Sequence, residues 1–350
     1  MRLTEADKQS YFALHACCIP VKGMTRSIMY DLNRKDYQYI PNAMTDLLHA
    51  NKHRTIAELL NDVGEADKET AVEYFEFLLE HEFIFLCPRN DLNRFPPISH
   101  RFETPSLITN AVVDLSLASA YDPESVFIQL AELGCRDIQI RTFDACELLF
   151  YSRLLDSAQE KGFKSIELLA CYHPSLLPDK LIRFVNQYKF TAFILVHGAP
   201  FKRRIQDAVY EMHLIQFEPV QLEHGKAYRQ TDCSYFSISP KILAEAMNHH
   251  LYFNRKVAID HLGFVKNAES CTGHFGNVTT HLLKEIVEQT DFQRIWSARK
   301  DDTRVCKDCE YRYMCVDNRP IFWDEHNACW AHHEPCRYDP SRALWQHAGP

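Results

Sequence analysis

The sequence predicts an α/β protein of three parts, each marked by a different local pattern. Residues 1–95 carry a strand hairpin followed by three helices, the order of a small winged-helix-like domain. Residues 105–265 alternate strands and helices with short connections, which predicts a parallel sheet in an incomplete (β/α) barrel-like core. Residues 266–350 hold six of the 13 cysteines of the chain, which predicts a small Cys-rich metal-binding domain.

The composition excludes several classes of protein. The chain has 350 residues, of which 46% are hydrophobic and 25% are charged, as in a folded protein of two or three domains. Its formal net charge of −8 argues against a nucleic-acid partner. No apolar run approaches the roughly 18 residues of a membrane helix, and the polar first residues predict no signal peptide. We therefore expect a cytoplasmic protein without a membrane partner, whose cysteines serve metal or redox chemistry.

The first part shows its elements in sequence order. Apolar and polar residues alternate over 26–32 and again over 37–40, with a polar turn between them, which predicts two antiparallel strands. A short helix is predicted over 43–50, and Thr55 and Glu58 form the capping box of a second helix. A third helix, with apolar residues at helical spacing, and a closing strand are predicted over 68–81 and 83–86.

The second part alternates four predicted strands with three predicted helices. The predicted strands and helices are 107–117, 123–133, 137–142, 145–161, 165–170, 178–187 and 191–196. Short connections between such elements require right-handed crossovers and hence parallel strands. Four repeats in about 160 residues are too few for a closed eight-stranded barrel. The sequence therefore predicts an incomplete barrel or an open parallel sheet.

The third part contains a cysteine motif with metal-ligand spacing. Cys306, Cys309 and Cys315 form a C-x2-C-x5-C motif, and Cys336 follows 21 residues later. A C-x2-C turn positions two thiolates at little entropic cost, and a tetrahedral site needs four. We predict that these four cysteines bind a metal, with Cys329 as the alternative fourth ligand. Spacing alone is consistent with either zinc or an iron–sulfur cluster.

Several segments together resemble one known family. The cysteine motif, C-I-P-V-K-G at 18–23, S-C-T-G-H-F-G-N at 270–277 and C-R-Y-D-P at 336–340 resemble the grasp-with-spasm peptide maturases. These are SPASM-domain proteins of graspetide-type systems, which modify ribosomally synthesised peptides (RiPPs). The resemblance spans nearly the whole chain. It implies a precursor peptide and an ATP-grasp ligase as partners, and one 4Fe–4S cluster as cofactor, with zinc as the alternative.

The sequence also departs from the radical-SAM enzymes to which SPASM domains are attached. Those enzymes bind their catalytic cluster through C-x3-C-x2-C after the first barrel strand, and the matching loop here, 116–122, has no cysteine. The resemblance therefore implies a degenerate radical-SAM-like core that does not cleave SAM. The position four residues after Cys315, which would ligate a further auxiliary cluster, is Arg319. We accordingly expect a half-SPASM domain with one cluster.

The first part resembles the leader-recognition element of peptide-modifying systems. There the leader of the precursor adds to the sheet as an extra strand beside the third helix. The resemblance implies a peptide-binding surface made of Tyr37, Gln38, Tyr39, Ile40, Glu73, Phe77 and Glu80. A winged-helix domain that binds no ligand is the alternative. DNA binding is disfavoured because the third helix is rich in glutamate.

These observations lead to the hypothesis of an accessory maturation factor, with no catalytic residue assigned. The alternatives are a peptide-modifying enzyme with non-radical chemistry in the α/β core, or an iron–sulfur redox sensor. Buried acid/base residues at the carboxyl ends of the core strands would favour an enzyme, and a sealed apolar core would favour the accessory role. The adjacent pairs His249–His250 and His332–His333 are interpreted as solvated surface.

Overall fold

The chain begins with a small antiparallel sheet. The computed structural model describes residues 2–51, 53–206, 214–228, 233 and 236–346. A short helix α1 (Glu5–Lys8) and strand β1 (Tyr11–Leu14) precede β2 (Cys18–Lys22), β3 (Ser27–Asp31) and β4 (Asp36–Ile40). These last three strands form a sheet in the order β2-β3-β4, with antiparallel neighbours.

Three helices follow and pack on this sheet. They are α2 (Asn42–His49), α3 (Ile56–Asp62) and α4 (Lys68–Glu80), after which β5 (Ile84–Cys87) returns to pair with β1. Thr55 caps α3 through the predicted capping box with Glu58. Met29 and Ile40 of the sheet share a buried core with Phe75 of α4. The hairpin, the helices and the closing strand thus form where the sequence predicts them, whereas β1 and β2 were not predicted.

The core is built on one nine-stranded sheet. Its six parallel strands are β6 (Asn110–Leu115), β7 (Asp137–Ala145), β8 (Ser165–Cys171), β9 (Thr191–His197), β11 (Leu214–Glu218) and β12 (Lys256–Ile259). Helices α5 (Pro123–Glu132), α6 (Leu148–Glu160) and α7 (Pro178–Gln187) connect the first four of these strands. The spatial order is β11-β9-β8-β7-β6-β12, so the last parallel strand lies beside the first.

Antiparallel strands end the sheet on both sides. Strand β10 (Arg203–Gln206) pairs with β11, and β13 (Phe264–Lys266) and β14 (Gly276–Asn277) continue the sheet beyond β12. Within the part of the chain that the structure describes, β10 and β14 do not pair with each other, so the sheet stays open. The parallel core is confirmed, and of the two predicted architectures the pairing matches the open sheet.

The two faces of this sheet differ in chemistry. One face packs against the helices with residues such as Val113, Ile140 and Val196. Because side chains alternate along a strand, the intervening positions point the other way, and there Asp114 and Arg141 are opposite each other in neighbouring strands. We call this second side the polar face. It is unusual because parallel sheets are generally apolar on both sides.

The C-terminal segment has little regular structure. Helix α8 (Pro240–Asn248) still precedes β12. After β14 come α9 (Leu283–Val287), α10 (Thr290–Gln293) and two small hairpins, β15 (Ile321–Asp324) with β16 (Cys329–His332) and β17 (Tyr338–Asp339) with β18 (Leu344–Trp345). Ile28 and Tyr30 of the N-terminal sheet share a core with Tyr311 and Tyr338 of this segment. No helix among the described residues is long and apolar enough to cross a membrane.

Candidate metal centre

Cys306 and Cys309 lie on one tight turn. The segment Cys306–Asp308 is a single 3-10 turn, and the N–H of Cys309 donates to the carbonyl oxygen of Cys306 at 3.0 Å. Val305, immediately before it, has a φ of 70°, a left-handed conformation that β-branched residues rarely adopt. The bend leaves Val305 exposed and Cys306 buried. Strain of this kind persists only where the surrounding structure enforces it.

The thiols of the predicted ligand set influence one another electrostatically. Burial raises the pKa of Cys309, and Cys306 and Cys336 raise it further. Burial likewise raises the pKa of Cys315, with Cys306 and Cys309 among its charged neighbours. Cys309 and Cys336 both pack against the buried core that contains Tyr311 and Tyr338. Cys329, the alternative fourth ligand, begins strand β16 opposite Asp324.

Cys306 lies beside a buried ammonium group. The Nζ of Lys300 is 3.8 Å from the Sγ of Cys306, and Lys300 is 2% exposed. Burial alone would raise the pKa of the Cys306 thiol, but Lys300 and His332 outweigh burial and lower it. A thiolate is the form that binds metals. The surroundings of Cys306 thus favour its thiolate form, whereas burial favours the protonated form of Cys309 and Cys315.

Asp317 holds the positive groups around Cys306 together. Its carboxylate is 2.7 Å from Nζ of Lys300, 2.6 Å from Nη2 of Arg319 and 3.0 Å from Nε2 of His332. Burial raises the pKa of Asp317, yet these three neighbours hold it well below its usual range. Cys306, Asp317 and His332 offer ligand atoms within 4.8 Å of one another. Because Lys300 and Arg319 already occupy the carboxylate, we interpret the group as a hydrogen-bond network that orients Cys306 rather than as a metal site.

The interpretation of the histidine pairs as solvated surface is wrong for two members. The His332 side chain is 5% exposed, and its ring nitrogens face the carboxylate of Asp317 and the carbonyl oxygen of Arg319. Burial lowers its pKa, but Asp317 and Cys306 outweigh burial and raise it. His250 is fully buried beside Trp296 and Phe253. That interpretation rested on neighbours in the sequence alone, whereas residues distant in the sequence bury these two histidines.

The N-terminal sheet docks directly on the C-x2-C turn. The N–H of Met24 donates to the carbonyl oxygen of Asp308 at 2.8 Å, and Nε of Arg26 is 2.8 Å from the buried carboxylate of Glu310. A Cβ at Gly23 would lie 2.9 Å from the backbone nitrogen of Glu310. Only glycine fits at this approach, which gives a physical reason for part of the C-I-P-V-K-G segment.

Strand β4, the predicted peptide-binding strand, is an end strand of its sheet. Among the described residues it pairs with β3 alone, placing Tyr37 opposite Tyr30 and Gln38 opposite Met29. The N–H of Tyr37 donates to Oδ1 of Asp36 at 2.8 Å. Because amide directions alternate along a strand, this bond indicates that the amides of Tyr37 and Tyr39 face the outer edge and that of Gln38 faces β3.

The predicted side chains of this surface differ in accessibility. Tyr39 is exposed, whereas Ile40 is 2% exposed and offers a peptide only its backbone. On α4, Glu73 and Glu80 are exposed, and Phe77 packs against His81 with ring centroids 4.0 Å apart. Arg34, in the turn before β4, donates to the carbonyl oxygen of His81 at 3.5 Å and forms ion pairs with Asp31 and Glu82. The end of α4 therefore lies beside the start of β4.

The polar face contains a buried ion pair. Nε and Nη2 of Arg141 each lie 2.6 Å from an oxygen of Asp114, and neither residue is more than 3% exposed. Lys256 and Glu269 are buried nearby. The loop after β6, residues 116–122, follows Asp114 closely and carries no cysteine. The cysteine-free loop is visible in the sequence, but the charged cluster of the polar face is not, because an isolated charge in a strand gives no sign of its partner.

Comparison with known proteins gives no family assignment. No family model and no curated protein matches this sequence. SuiB of Streptococcus suis bound to S-adenosylmethionine is similar over 87% of this chain and 94% of SuiB, with 10% identity and a TM-score of 0.32. SuiB bound to its precursor peptide SuiA has the same coverage and identity and a TM-score of 0.27. E. coli MccB with succinimide is similar over 51% of this chain and 66% of MccB, with 15% identity and a TM-score of 0.18. These TM-scores are below the level that establishes a shared fold, so no function is transferred from them.

Proposed function

We propose that this protein is an accessory maturation factor for a graspetide-type ribosomal peptide. It binds the leader of the precursor and works with an ATP-grasp ligase that forms side-chain crosslinks. The observation that carries the proposal is the outer edge of β4, where the amides of Tyr37 and Tyr39 face away from the sheet. Such an edge accepts a peptide strand through main-chain hydrogen bonds. The sequence resemblance supports the same partners.

The proposal includes one 4Fe–4S cluster bound by Cys306, Cys309, Cys315 and Cys336. The sequence resemblance supports the iron–sulfur cluster, and zinc, which the same four thiolates would also bind, is the alternative. When bound, the cluster would cross-link the loop-rich segment and carry single electrons.

A specific observation favours a second candidate function. A sealed apolar core is the expectation for a purely accessory protein, but the polar face buries Asp114, Arg141, Lys256 and Glu269. Buried acid/base residues are typical of catalytic sites. The second candidate is therefore a peptide-modifying enzyme with non-radical chemistry on this face. In both cases the loop at 116–122 lacks the thiolates for SAM cleavage.

One experiment tests the leader proposal and separates the two candidates. Labelled precursor, with and without its leader, is titrated against the anaerobically purified protein, and the precursor mass is measured after incubation with the protein alone or with ligase and ATP. We expect binding only of the leader-bearing precursor, and a mass change only with the ligase. Equal binding of both precursors would refute leader recognition. A mass change with this protein alone would establish the enzyme instead.

A further inference from the structure

A cavity on the polar face has a lining suited to one kind of ligand. Its volume is about 340 Å³, within the usual range for small-ligand sites. Its polar and aromatic lining consists of two carboxylates, two amides and three aromatic side chains: Glu167, Glu269, Gln139, Asn318, Phe193, Tyr228 and Tyr252. No lysine or arginine of the described residues lines it. We propose that this cavity binds a basic N–H donor, the ammonium or guanidinium group of a side chain or small amine.

Glu269 supplies the acceptor for this group. It is 6% exposed, and its Oε1 accepts the hydroxyl of Tyr252 at 2.6 Å. Its Oε2 is buried and has no hydrogen-bond partner among the described residues. Burial raises the pKa of Glu269, but Lys256, Arg141 and the Tyr252 hydroxyl outweigh it, so the pKa is lowered and the carboxylate is charged. A buried charged oxygen without a partner is unfavourable. Glu269 lines the cavity, and an N–H donor bound there would supply the missing partner after a small shift of this carboxylate.

The charged groups around the cavity favour a cationic ligand. Arg141 is neutralised by its two contacts with Asp114. The Nζ of Lys256 is 3.3 Å from Oδ1 of Asn110 and 4.3 Å from the ring centroid of Tyr252, and Lys256 does not line the cavity. The lining of the cavity thus has two carboxylates, Glu167 and Glu269, and no basic side chain among the described residues, which favours a cationic ligand.

The aromatic walls favour the same ligand class. The rings of Phe193 and Tyr228 have centroids 6.4 Å apart with an interplanar angle of 35°. Aromatic faces attract cations, and more strongly where water is excluded. They also pack against the alkyl stem that accompanies a basic side chain. Oε2 of Glu269 requires a hydrogen-bond donor, which selects primary amines and guanidinium groups over quaternary ammonium ions.

Calorimetric titration of the intact protein tests this site. The probes are Nα-acetyl-L-lysine amide, n-butylamine and the neutral isostere Nα-acetyl-L-norleucine amide. We expect the lysine probe to bind at least tenfold more tightly than the norleucine probe. Glu269→Gln should reduce lysine-probe affinity at least tenfold. Glu160→Gln, on the outer surface of α6, is the matched control and should leave affinity unchanged.

Three results of these titrations would overturn the proposal. They are equal affinity for the lysine and norleucine probes, no binding of the lysine probe at concentrations up to about 10 mM, and unchanged affinity in Glu269→Gln. If circular dichroism shows that Glu269→Gln does not fold, Glu167→Gln replaces it, because Glu167 is exposed at the cavity. We expect Glu167→Gln to lower the affinity for the lysine probe threefold or more. An unchanged affinity in this variant would contradict the site. Comparable binding of n-butylamine identifies a free amine as sufficient, and preference for the lysine amide identifies a peptide. The site involves neither β4 nor the cysteines, so its failure leaves leader recognition untouched.

Discussion

The hydroxyl groups of Tyr39 and Tyr311 lie 2.6 Å apart and join strand β4 to the turn that carries Cys309. The guanidinium group of Arg26 lies 3.7 Å above the Tyr39 ring and donates to the Tyr311 hydroxyl at 3.0 Å. The proposed peptide-binding strand and the proposed metal segment are therefore packed together. A change in one is expected to reach the other through these side chains.

Proline at position 39 should weaken leader binding. The Tyr39 amide faces the outer edge, and proline has no N–H to donate. Loss of one hydrogen bond, at about 0.5–1.5 kcal/mol, together with strain should lower precursor affinity roughly tenfold. Fluorescence anisotropy with labelled precursor measures the effect.

Two variants control for side-chain and ladder effects. Tyr39→Phe keeps the amide and loses the hydroxyl contact with Tyr311, so it should lower precursor affinity much less than Tyr39→Pro does. Gln38→Pro removes an amide that faces β3, and it should lower thermal stability more than Tyr39→Pro does. If Tyr39→Pro binds the precursor as well as Tyr39→Phe, the leader does not pair with this edge.

Removal of a proposed ligand should release the metal. Cys306→Ala and Cys309→Ala should each lose iron and sulfide and lower the free energy of unfolding by more than about 2 kcal/mol, because a loop-rich segment depends on its metal for folding. Elemental analysis and anaerobic thermal unfolding measure both quantities. Cys329→Ala is the matched control and should retain the metal. Full iron content in Cys306→Ala would refute the ligand set.

SAM should not be cleaved by this protein. The loop at 116–122 lacks the three thiolates that leave one iron open to SAM. The anaerobically reconstituted protein, given SAM and a strong reductant, should form no 5′-deoxyadenosine by chromatography. A radical-SAM enzyme assayed in parallel is the positive control. Catalytic formation of 5′-deoxyadenosine would contradict the inference from the missing cysteines.

Local signals in the sequence predicted the local parts of the structure. The C-x2-C turn and the Thr55 capping box each involve residues three apart, so their geometry follows from short-range bonds. Strand β12 lies beside β6 although about 140 residues separate them, and no periodicity encodes that pairing.

The surroundings of Cys306 show the same limit. Lys300, Asp317 and His332 come from three separate segments and meet only in the fold. The one local sign is the short spacing from Cys315 to Asp317 and Arg319, which the prediction interpreted as a missing ligand position. Arg319 instead pairs with Asp317, so the residue that replaces a cysteine has a structural role.

Stability should fall as the pH falls below about 6.5, in part through His197. This residue is 1% exposed; its Nε2 lies 2.9 Å from the carbonyl oxygen of Thr142, and its Nδ1 accepts the N–H of Leu222. Burial lowers the pKa of His197. Below the unfolded-state pKa of about 6.5, His197 binds a proton in the unfolded chain but stays neutral in the folded chain. This contribution to stability is therefore lost as the pH falls toward the folded-state pKa.

The matched variant for this pH effect is His197→Gln, which keeps a donor for Thr142 and does not titrate. Urea unfolding between pH 7.5 and 5.5 should show a shallower pH dependence in the variant, by up to about 1.4 kcal/mol per pH unit for one proton. The slopes should converge above pH 7, where the histidine is neutral in both states. Identical slopes in the two proteins would show that His197 is not a source of acid sensitivity.

Breaking the Asp114–Arg141 pair should destabilise the core far more than replacing it. Asp114→Asn leaves the fully buried Arg141 without its charge partner, and loss of one member of a buried pair costs about 3–5 kcal/mol. The double variant Asp114→Leu with Arg141→Met removes both charges and should recover most of that loss, because well-packed apolar residues of similar size often substitute for buried ion pairs. Urea unfolding of the wild type, the single variant and the double variant measures the difference. If Asp114→Asn lowers the free energy of unfolding by less than about 1 kcal/mol, water must reach Arg141. The polar face is then more accessible to solvent than the burial of its side chains indicates.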